Sequence, residues 1–319
     1  MGGGQTGLLL AARFKQMNIP TLVIERTARI GDSWRKRYPT LTLHTINRHH
    51  TSKYRSVLIC PSPVPIPLLV LYQPYPTNWP EFTPRDKLAD WLEFYPRIQD
   101  LVVWTNTEFR DHPTYNRDTG EWEVSLSRDG SEVQVRPAHI VLATGSLGEP
   151  NVPSVPERER FGGHVLHSHA YAGGASFTGK RVVVIGAGNS SIDICQDLVF
   201  KGASSVTMVQ RSATCVTARE TVATIQRAEY PPGVPLDVCD FKWASWPFGL
   251  QKRLGIENEG LMWDMERELH DKLRKGGLQL TMGPEGAGLY LLVIGRAGGK
   301  SPYDRDALAD ELMPLARFL

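Results

Sequence analysis

The chain is poor in cysteine and has no close cysteine pair. Its four cysteines, Cys60, Cys195, Cys215 and Cys239, include no Cys-x-x-Cys, so neither a zinc ribbon nor a dithiol redox pair is encoded. Scattered, low cysteine use fits a reducing compartment. Neither sign of charge is in excess: the formal net charge is +2 and no Lys/Arg block occurs, which argues against nucleic acid or a membrane surface as partner. No long uninterrupted apolar run is present either. The most apolar window, Val57 to Tyr72, carries Pro61, Pro63, Pro65 and Pro67, and that spacing excludes an ordinary spanning helix. No signal peptide precedes the first glycines, so the cytoplasm is the default expectation. No Ser-His-Asp set or carboxylate pair offers acid–base or nucleophilic chemistry, and no metal site is expected; His164 and His169 read as linker residues. What is left is an ordinary globular composition, 41% apolar over 319 residues, enough for about two domains with a sizeable core.

The most informative stretch is Arg181-Val182-Val183-Val184-Ile185-Gly186-Ala187-Gly188-Asn189-Ser190-Ser191. A continuous, β-branched apolar run reads as a strand buried on both faces. It ends in a glycine turn, and a helical pattern begins at once, which is the arrangement that binds a dinucleotide pyrophosphate. Gly186 permits the tight turn and Gly188 the close approach of phosphate, while Asn189, Ser190 and Ser191 open the helix whose free N–H groups and dipole favour an anion. Ser191 stands where a third glycine is usual and is small enough to keep helix and strand close. The next strand, Ser205 to Gln210, delivers Arg211 and Ser212. Arginine there suits a 2′-phosphate better than a free ribose hydroxyl, so NADPH is the expected nucleotide.

A second glycine turn opens the chain: Gly2, Gly4 and Gly7 fit Gly-x-Gly-x-x-Gly, with Gln5 and Thr6 between them. A helix over Leu8 to Met17 and a strand over Thr21 to Ile24 are expected to follow. Glu25 ends that strand, where a carboxylate holds ribose hydroxyls. One acidic and one basic ribose partner suggest FAD first and NADPH second. The strand that should precede Gly2 is not encoded, and its absence is expected to leave strand edges unpaired.

Between the two turns, Gly31-x-x-Trp34 offers a close backbone approach and a flat apolar surface for a ring system. Thr83 is the expected N-cap, with Pro84 at N1, of a helix from Arg85 to Tyr95. Leu101 to Trp104 reads as a strand. Trp122 to Leu126 and Glu132 to Val135 read as a hairpin about Asp129-Gly130. His139 to Gly145 reads as another buried strand, and Pro150, Pro153 and Pro156 as a linker.

These residues resemble the flavin-containing monooxygenases, and within them the fungal N,N-dimethylaniline monooxygenase-like branch. The most specific match is Phe161-x-Gly163-x-x-x-His167-x-x-x-Tyr171, which meets that family's fingerprint at every fixed position. Tyr171 stands where Baeyer–Villiger relatives usually carry tryptophan. The two glycine turns, Gly31-x-x-Trp34 and Ala143-Thr144-Gly145 occur in the family's order, from about residue 2 to about residue 298. The resemblance implies an α/β fold of two Rossmann-type domains. It also implies an enzyme in which NADPH reduces FAD, O₂ is captured as a C4a-hydroperoxyflavin, and oxygen passes to a nucleophilic nitrogen or sulfur, or a carbon, of a small molecule. Asn78, in Asn78-Trp79-Pro80, looks like the family's active-site asparagine; the residues alone equally allow a turn-forming asparagine. His167 is expected to be structural.

The expected organisation is an FAD-binding part over 1–157, a linker with the fingerprint over 158–178, an NADPH-binding domain over 179–298 and a divergent tail over 299–319. Residues 51–70 read as an atypical insert. The FAD domain is expected to be incomplete at both ends, so the alternative to a working monooxygenase is a defective nucleotide-binding remnant. A flavin disulfide reductase would need the cysteine pair that is missing.

Overall fold

The computed structural model describes residues 1–47, 75–76, 78–145, 150–211, 214, 216–245, 247, 250, 257 and 259–280. Residues 51–70, Ser212, Cys60, Cys215 and the tail 299–319 lie outside these described residues. The chain divides into two compact units, Met1–Thr42 with Val70–Tyr171, and Leu43–Leu69 with Ala172–Leu319.

In the first unit, helix α1 (Gln5–Gln16) follows the first glycine turn. It buries Leu8, Ala11 and Ala12, the i, i+3, i+4 stripe of a helix with one face on a core. Arg13 and Lys15 occupy its last turn, where the dipole favours cations. Strand β1 (Leu22–Ile24) pairs in parallel with β2 (Val102–Trp104), Leu22 opposite Val102 and Ile24 opposite Trp104. Helices α2 (Asp32–Arg35) and α3 (Arg85–Ile98) come between them in sequence, the long connection that parallel pairing demands.

Four short strands follow: β3 (Thr107–Phe109), β4 (Thr114–Asn116), β5 (Glu121–Arg128) and β6 (Ser131–Val135), with β5 pairing antiparallel to the other three. The hairpin turn is Asp129 (φ 49) and Gly130 (φ 81), the doubly left-handed pair that matches strand twist. Ile24, Val124 and Leu126 form a core, flanked by Trp104, Phe109, Trp122, Val135, Ile140 and Met1.

Three expectations need correction in this unit. Among the described residues the segment 139–145 belongs to no ladder, and Val141 and Leu142 are exposed. The Met1 amine donates to Val141 O (2.6 Å) and Ala143 N donates to Met1 O (2.7 Å). Two such bonds do not make a strand. Helix α3 has Pro84 at its cap position, with no side-chain cap bond, and the buried Thr83 hydroxyl has no partner among the described residues. The helix also continues through Pro96 to Ile98; a proline in the last turn forfeits only one ladder bond.

In the second unit, β7 (Arg181–Ile185) and β8 (Ser205–Val209) are parallel and in register, Arg181 opposite Ser205 and Ile185 opposite Val209. Helix α4 (Asn189–Phe200) connects them and buries Ile194, Asp197 and Leu198. The Asp197 carboxylate accepts from Gly174 N at 2.7 Å, which satisfies a polar group that would otherwise be costly to bury. β7 is not buried on both faces as its composition suggested. Val183 and Ile185 are 61% and 73% exposed, because among the described residues α4 covers the other face.

Helices α5 (Arg219–Glu229), α6 (Leu236–Ser245) and α7 (Glu259–Lys275) complete the described part. Glu266 of α7 accepts from Ala218 N (3.2 Å) at the start of α5, and His270 Nε2 lies 2.8 Å from Val216 O. Segment 43–47 packs in this unit, with Leu43 and Ile46 buried and Ile46 N donating to Gln226 Oε1 at 2.9 Å.

Candidate nucleotide-binding turns

Each unit holds one glycine turn at the start of a helix. In the first, Gly2 has φ +103, and its N–H donates to the Ile24 carbonyl at 2.8 Å. A methyl group on Gly2 would lie 2.2 Å from Ala143 O, and one on Gly7 would lie 1.9 Å from Gly2 O. Both positions therefore admit only glycine. Gly4 differs: a Cβ there would meet nothing within 4 Å. It is also the N-cap of α1, in an extended conformation and without a side-chain cap bond. The first turn of α1 begins at Gln5 and Thr6, and a helix start directs its N–H groups and the positive end of its dipole outward. The side of the turn at Gly4 is therefore open, as the approach of a pyrophosphate to a helix start would require.

Glu25 lies beside this turn. Its Oε2 accepts from Gly3 N at 2.7 Å, and its Oε1 accepts from Thr27 N (2.9 Å) and Thr27 Oγ1 (2.8 Å). The carboxylate is thereby oriented at the end of β1, where a ribose would need an acceptor. The structure brings Gly2, Gly4, Gln5, Thr6, Gly7 and Glu25 together; Thr27, which orients the acid, carries no sequence signal beyond its spacing.

Trp34 is half-buried on α2, with the Arg37 guanidinium 5.4 Å from its ring centroid. Burial disfavours the charged form of Arg37 and pulls its pKa down. Gly31 (φ +89) starts the helix, and a Cβ there would strike Ala89 O of α3 at 2.3 Å. Arg35 then ties α2 to α3, donating to Asp90 (2.9 Å) and Glu93 (2.6 Å), and Arg29 forks onto the same Glu93 at 3.0 and 2.7 Å. The hydrogen bond from Arg29 holds the Glu93 carboxyl below its ordinary pKa. These ion pairs fix the Trp34 helix against α3.

Asn78 is an exposed turn residue that makes no side-chain hydrogen bond among the described residues; the turn is closed by Trp79 N donating to Pro76 O at 3.1 Å. Trp79 in turn stacks on Tyr75 and meets Trp91 edge-on, at centroid distances of 4.9 and 5.8 Å.

The fingerprint residues have local roles. The Phe161 ring folds over Gly163, where a Cβ would come within 2.5 Å of it. His167 Nδ1 accepts from His169 N at 3.1 Å and so caps the short 3-10 turn Ser168–Ala170. Tyr171 is buried.

The second turn repeats the first with different chemistry. Gly186 has φ +118 and donates to the Val209 carbonyl at 2.8 Å, as Gly2 does to Ile24. Gly188 is the extended, uncapped N-cap of α4, and Asn189, Ser190 and Ser191 form its half-buried first turn. A Cβ on Gly186 would lie 3.3 Å from Ser191 Oγ, so a serine fits where Gly7 could not be replaced. Matching the two carbonyls, Ile24 and Val209, puts Gln210 in the place of Glu25 and the exposed Arg211 one residue beyond. A neutral amide at that place removes the carboxylate that would repel a 2′-phosphate. Cys195, a half-buried free thiol on α4, has its pKa raised by burial.

Sequence reasoning missed Thr214, whose Oγ1 donates to Ala187 O at 3.1 Å. It missed the second role of Gln210 too, whose side-chain amide pairs with Gln279 in both directions, at 2.6 and 2.9 Å. Among the described residues no group of three His, Cys, Asp or Glu is placed to hold a metal ion, and no helix is long and apolar enough to cross a membrane.

Residues 1–236 match the family model described as flavin-binding monooxygenase-like. Among curated proteins, the chain is 31% identical over 221 residues to indole-3-pyruvate monooxygenase YUCCA1 of Oryza sativa subsp. japonica, covering 69% of this chain and 49% of that one. The chain thus spans about half the length of the curated relatives it matches. Among solved structures, the flavin-containing monooxygenase from Stenotrophomonas maltophilia aligns with a TM-score of 0.56 at 22% identity, over 77% of this chain and 67% of that one. The S-allyl-L-cysteine S-oxygenase from Allium sativum aligns at 0.54 and 22%, over 68% and 51%. At these identities the structures speak to the fold, which is that of an α/β protein with two Rossmann-type nucleotide-binding domains.

Proposed function

The chain belongs to the flavin-binding monooxygenase-like family, and from that premise we propose that it binds FAD at the Gly2–Gly7 turn and NADPH at the Gly186–Ser191 turn. In this reading it uses O₂ to oxygenate a nucleophilic nitrogen or sulfur, or a carbon, of a small molecule. The observation that carries the reading is the duplicated cradle. Each turn ends in an extended glycine that caps a helix without side-chain help, and each lies at the end of a parallel strand pair.

Bound FAD supplies the electron chemistry that O₂ needs and that side chains lack. The protein's own residues do the rest. Gly4, Gln5, Thr6 and Gly7 receive the first pyrophosphate, and Glu25 accepts from the adenosine ribose. Trp34 gives a flat apolar wall on a helix locked by Arg35. Asn78 offers an amide to the reacting edge of the flavin. At the second site Gly188, Asn189, Ser190 and Ser191 receive the pyrophosphate, and Arg211 with Ser212 takes the 2′-phosphate through a charge-assisted contact. The domain limits stay as the sequence suggests, with FAD within 1–157 and NADPH within 179–298. Indole-3-pyruvate in the names of the curated relatives adds α-keto acids to the amines and thioethers as substrates to screen.

The test is the visible spectrum of the purified chain with FAD, before and after NADPH under argon. A yellow protein whose flavin band bleaches with NADPH and returns in air is expected. A colourless protein that takes up no flavin would leave the nucleotide-binding remnant as the better description.

A further inference from the structure

The second glycine turn carries a contact that its motif does not require. The Thr214 hydroxyl donates to Ala187 O at 3.1 Å. Ala187 is the residue between the two glycines, and Thr214 comes from beyond the end of β8. Thr214 is itself buried (8% exposed) and held: its N–H donates to Gln279 O at 3.1 Å, and it bridges in parallel to Leu280. A hydroxyl fixed in this way fixes what it donates to.

A peptide unit is planar and trans, so its C=O and N–H point in opposite directions. Anchoring the Ala187 carbonyl on Thr214 therefore turns the N–H of Gly188 to the opposite side. Gly188 begins the uncapped start of α4. A free Ala187 carbonyl in this turn could rotate towards the bound anion and repel it; a hydrogen-bonded one cannot. We propose that Thr214 is a positioning residue for the second nucleotide site, latching the 187–188 peptide so that Gly188 N–H faces the pyrophosphate of the nicotinamide dinucleotide. The proposal rests on the reading of that turn as the NADPH site. The latch acts on the pyrophosphate, which NADPH and NADH share, and not on the 2′-phosphate assigned to Arg211.

That division makes the test separable. Dissociation constants for NADPH and NADH are measured by nicotinamide fluorescence titration on the full chain and on Thr214→Val, Thr214→Ser and Arg211→Ala, with a melting curve for each. Thr214→Val is expected to raise both constants by about the same factor, roughly two- to tenfold, the range for one lost neutral hydrogen bond. Thr214→Ser, which keeps the hydroxyl, is expected to bind as the parent does. Arg211→Ala is expected to raise the NADPH constant alone. Unchanged binding by Thr214→Val, alongside a selective loss in Arg211→Ala, would overturn the latch and leave the site standing. Should Thr214→Val not fold, a serine variant that melts normally yet binds weakly overturns the latch as well. Absence of binding of either nucleotide to the parent chain would overturn the site and the latch with it.

Discussion

The two glycine turns have the same backbone plan and are held by opposite chemistry. In both, the first glycine has a positive φ and donates to the last carbonyl of the neighbouring strand, Ile24 or Val209. The first turn is then held by an acceptor: Glu25 takes the N–H of Gly3. The second is held by a donor: Thr214 gives its hydroxyl to Ala187 O. The third position differs in the same spirit. Gly7 sits so close to Gly2 O that a Cβ would come within 1.9 Å, whereas Ser191 already places its Oγ 3.3 Å from where a Gly186 Cβ would be. The lesson is that a dinucleotide motif specifies a backbone path, and each copy finds its own way to enforce it. The residues that enforce it lie at or just beyond the end of the strand that follows the helix, β1 or β8, not in the glycine string.

The strongest way to break the comparison is Gly7→Ala. Overpacking costs about 1–3 kcal/mol, and more where the clash is with backbone that cannot yield, so a large fall in melting temperature and loss of flavin uptake are expected. Ser191→Gly in the second turn should lower stability by no more than about 1 kcal/mol, the propensity cost of glycine in a helix. Equal damage from the two would mean that the turns are not packed as described. Next in size is Glu25→Gln. It replaces a charged acceptor that serves Gly3 and Thr27, so about 1–3 kcal/mol of stability should go, with weaker flavin binding in an absorbance titration. Nicotinamide binding at the second turn should be untouched.

A smaller effect concerns acid. Glu93 has its folded pKa depressed by Arg29, with Arg35 adding to it. Its contribution is therefore present above the ordinary carboxylate range and is lost as pH falls through the depressed folded value. The melting temperature of the parent should drop across that window more than that of Glu93→Gln, and parallel acid limbs would refute the role of the α2–α3 lock. Smallest is the reactivity of Cys195. A helix N-terminus lowers a thiol pKa, yet burial pushes this one up. Iodoacetamide at neutral pH, followed by peptide mapping, should modify Cys195 more slowly than free cysteine. Faster labelling would show that the field of α4 reaches further than burial can offset.

Much of this was legible in the sequence. The strand–glycine–helix unit from Arg181, the glycine turn, helix and strand from Gly2, the Asp129-Gly130 hairpin and the amphipathic α3 all declare themselves through local chemistry, namely period, turn residues and β-branching. What was not legible depends on what lies across a gap in sequence. The β-branched run of β7 suggested burial on both faces, but exposure of Val183 and Ile185 is decided by which helices arrive. Residues 139–145 look like a strand in composition and lack a ladder because pairing is a property of two segments. Thr83 has the residue type of an N-cap, but the helix begins a residue later than the cap rule places it. Within the site, Arg211 was readable from its place after β8. Gln210 and Thr214 were not, since both act on residues far off in sequence, Gln279 and Ala187.

The side chain of Gln210 has one more consequence. A primary amide carries the same donor and acceptor as a peptide bond, and here it occupies both pairing positions of Gln279. The side chain thus does for Gln279 what a backbone partner would do, one residue past the end of β8. Thr214 rejoins the same neighbour at Gln279 and Leu280. Gln210 and Thr214 are thereby pinned to one short segment, Gln279–Leu280. Arg211 follows directly on Gln210, so its backbone starts from a footing that this amide pair holds in place.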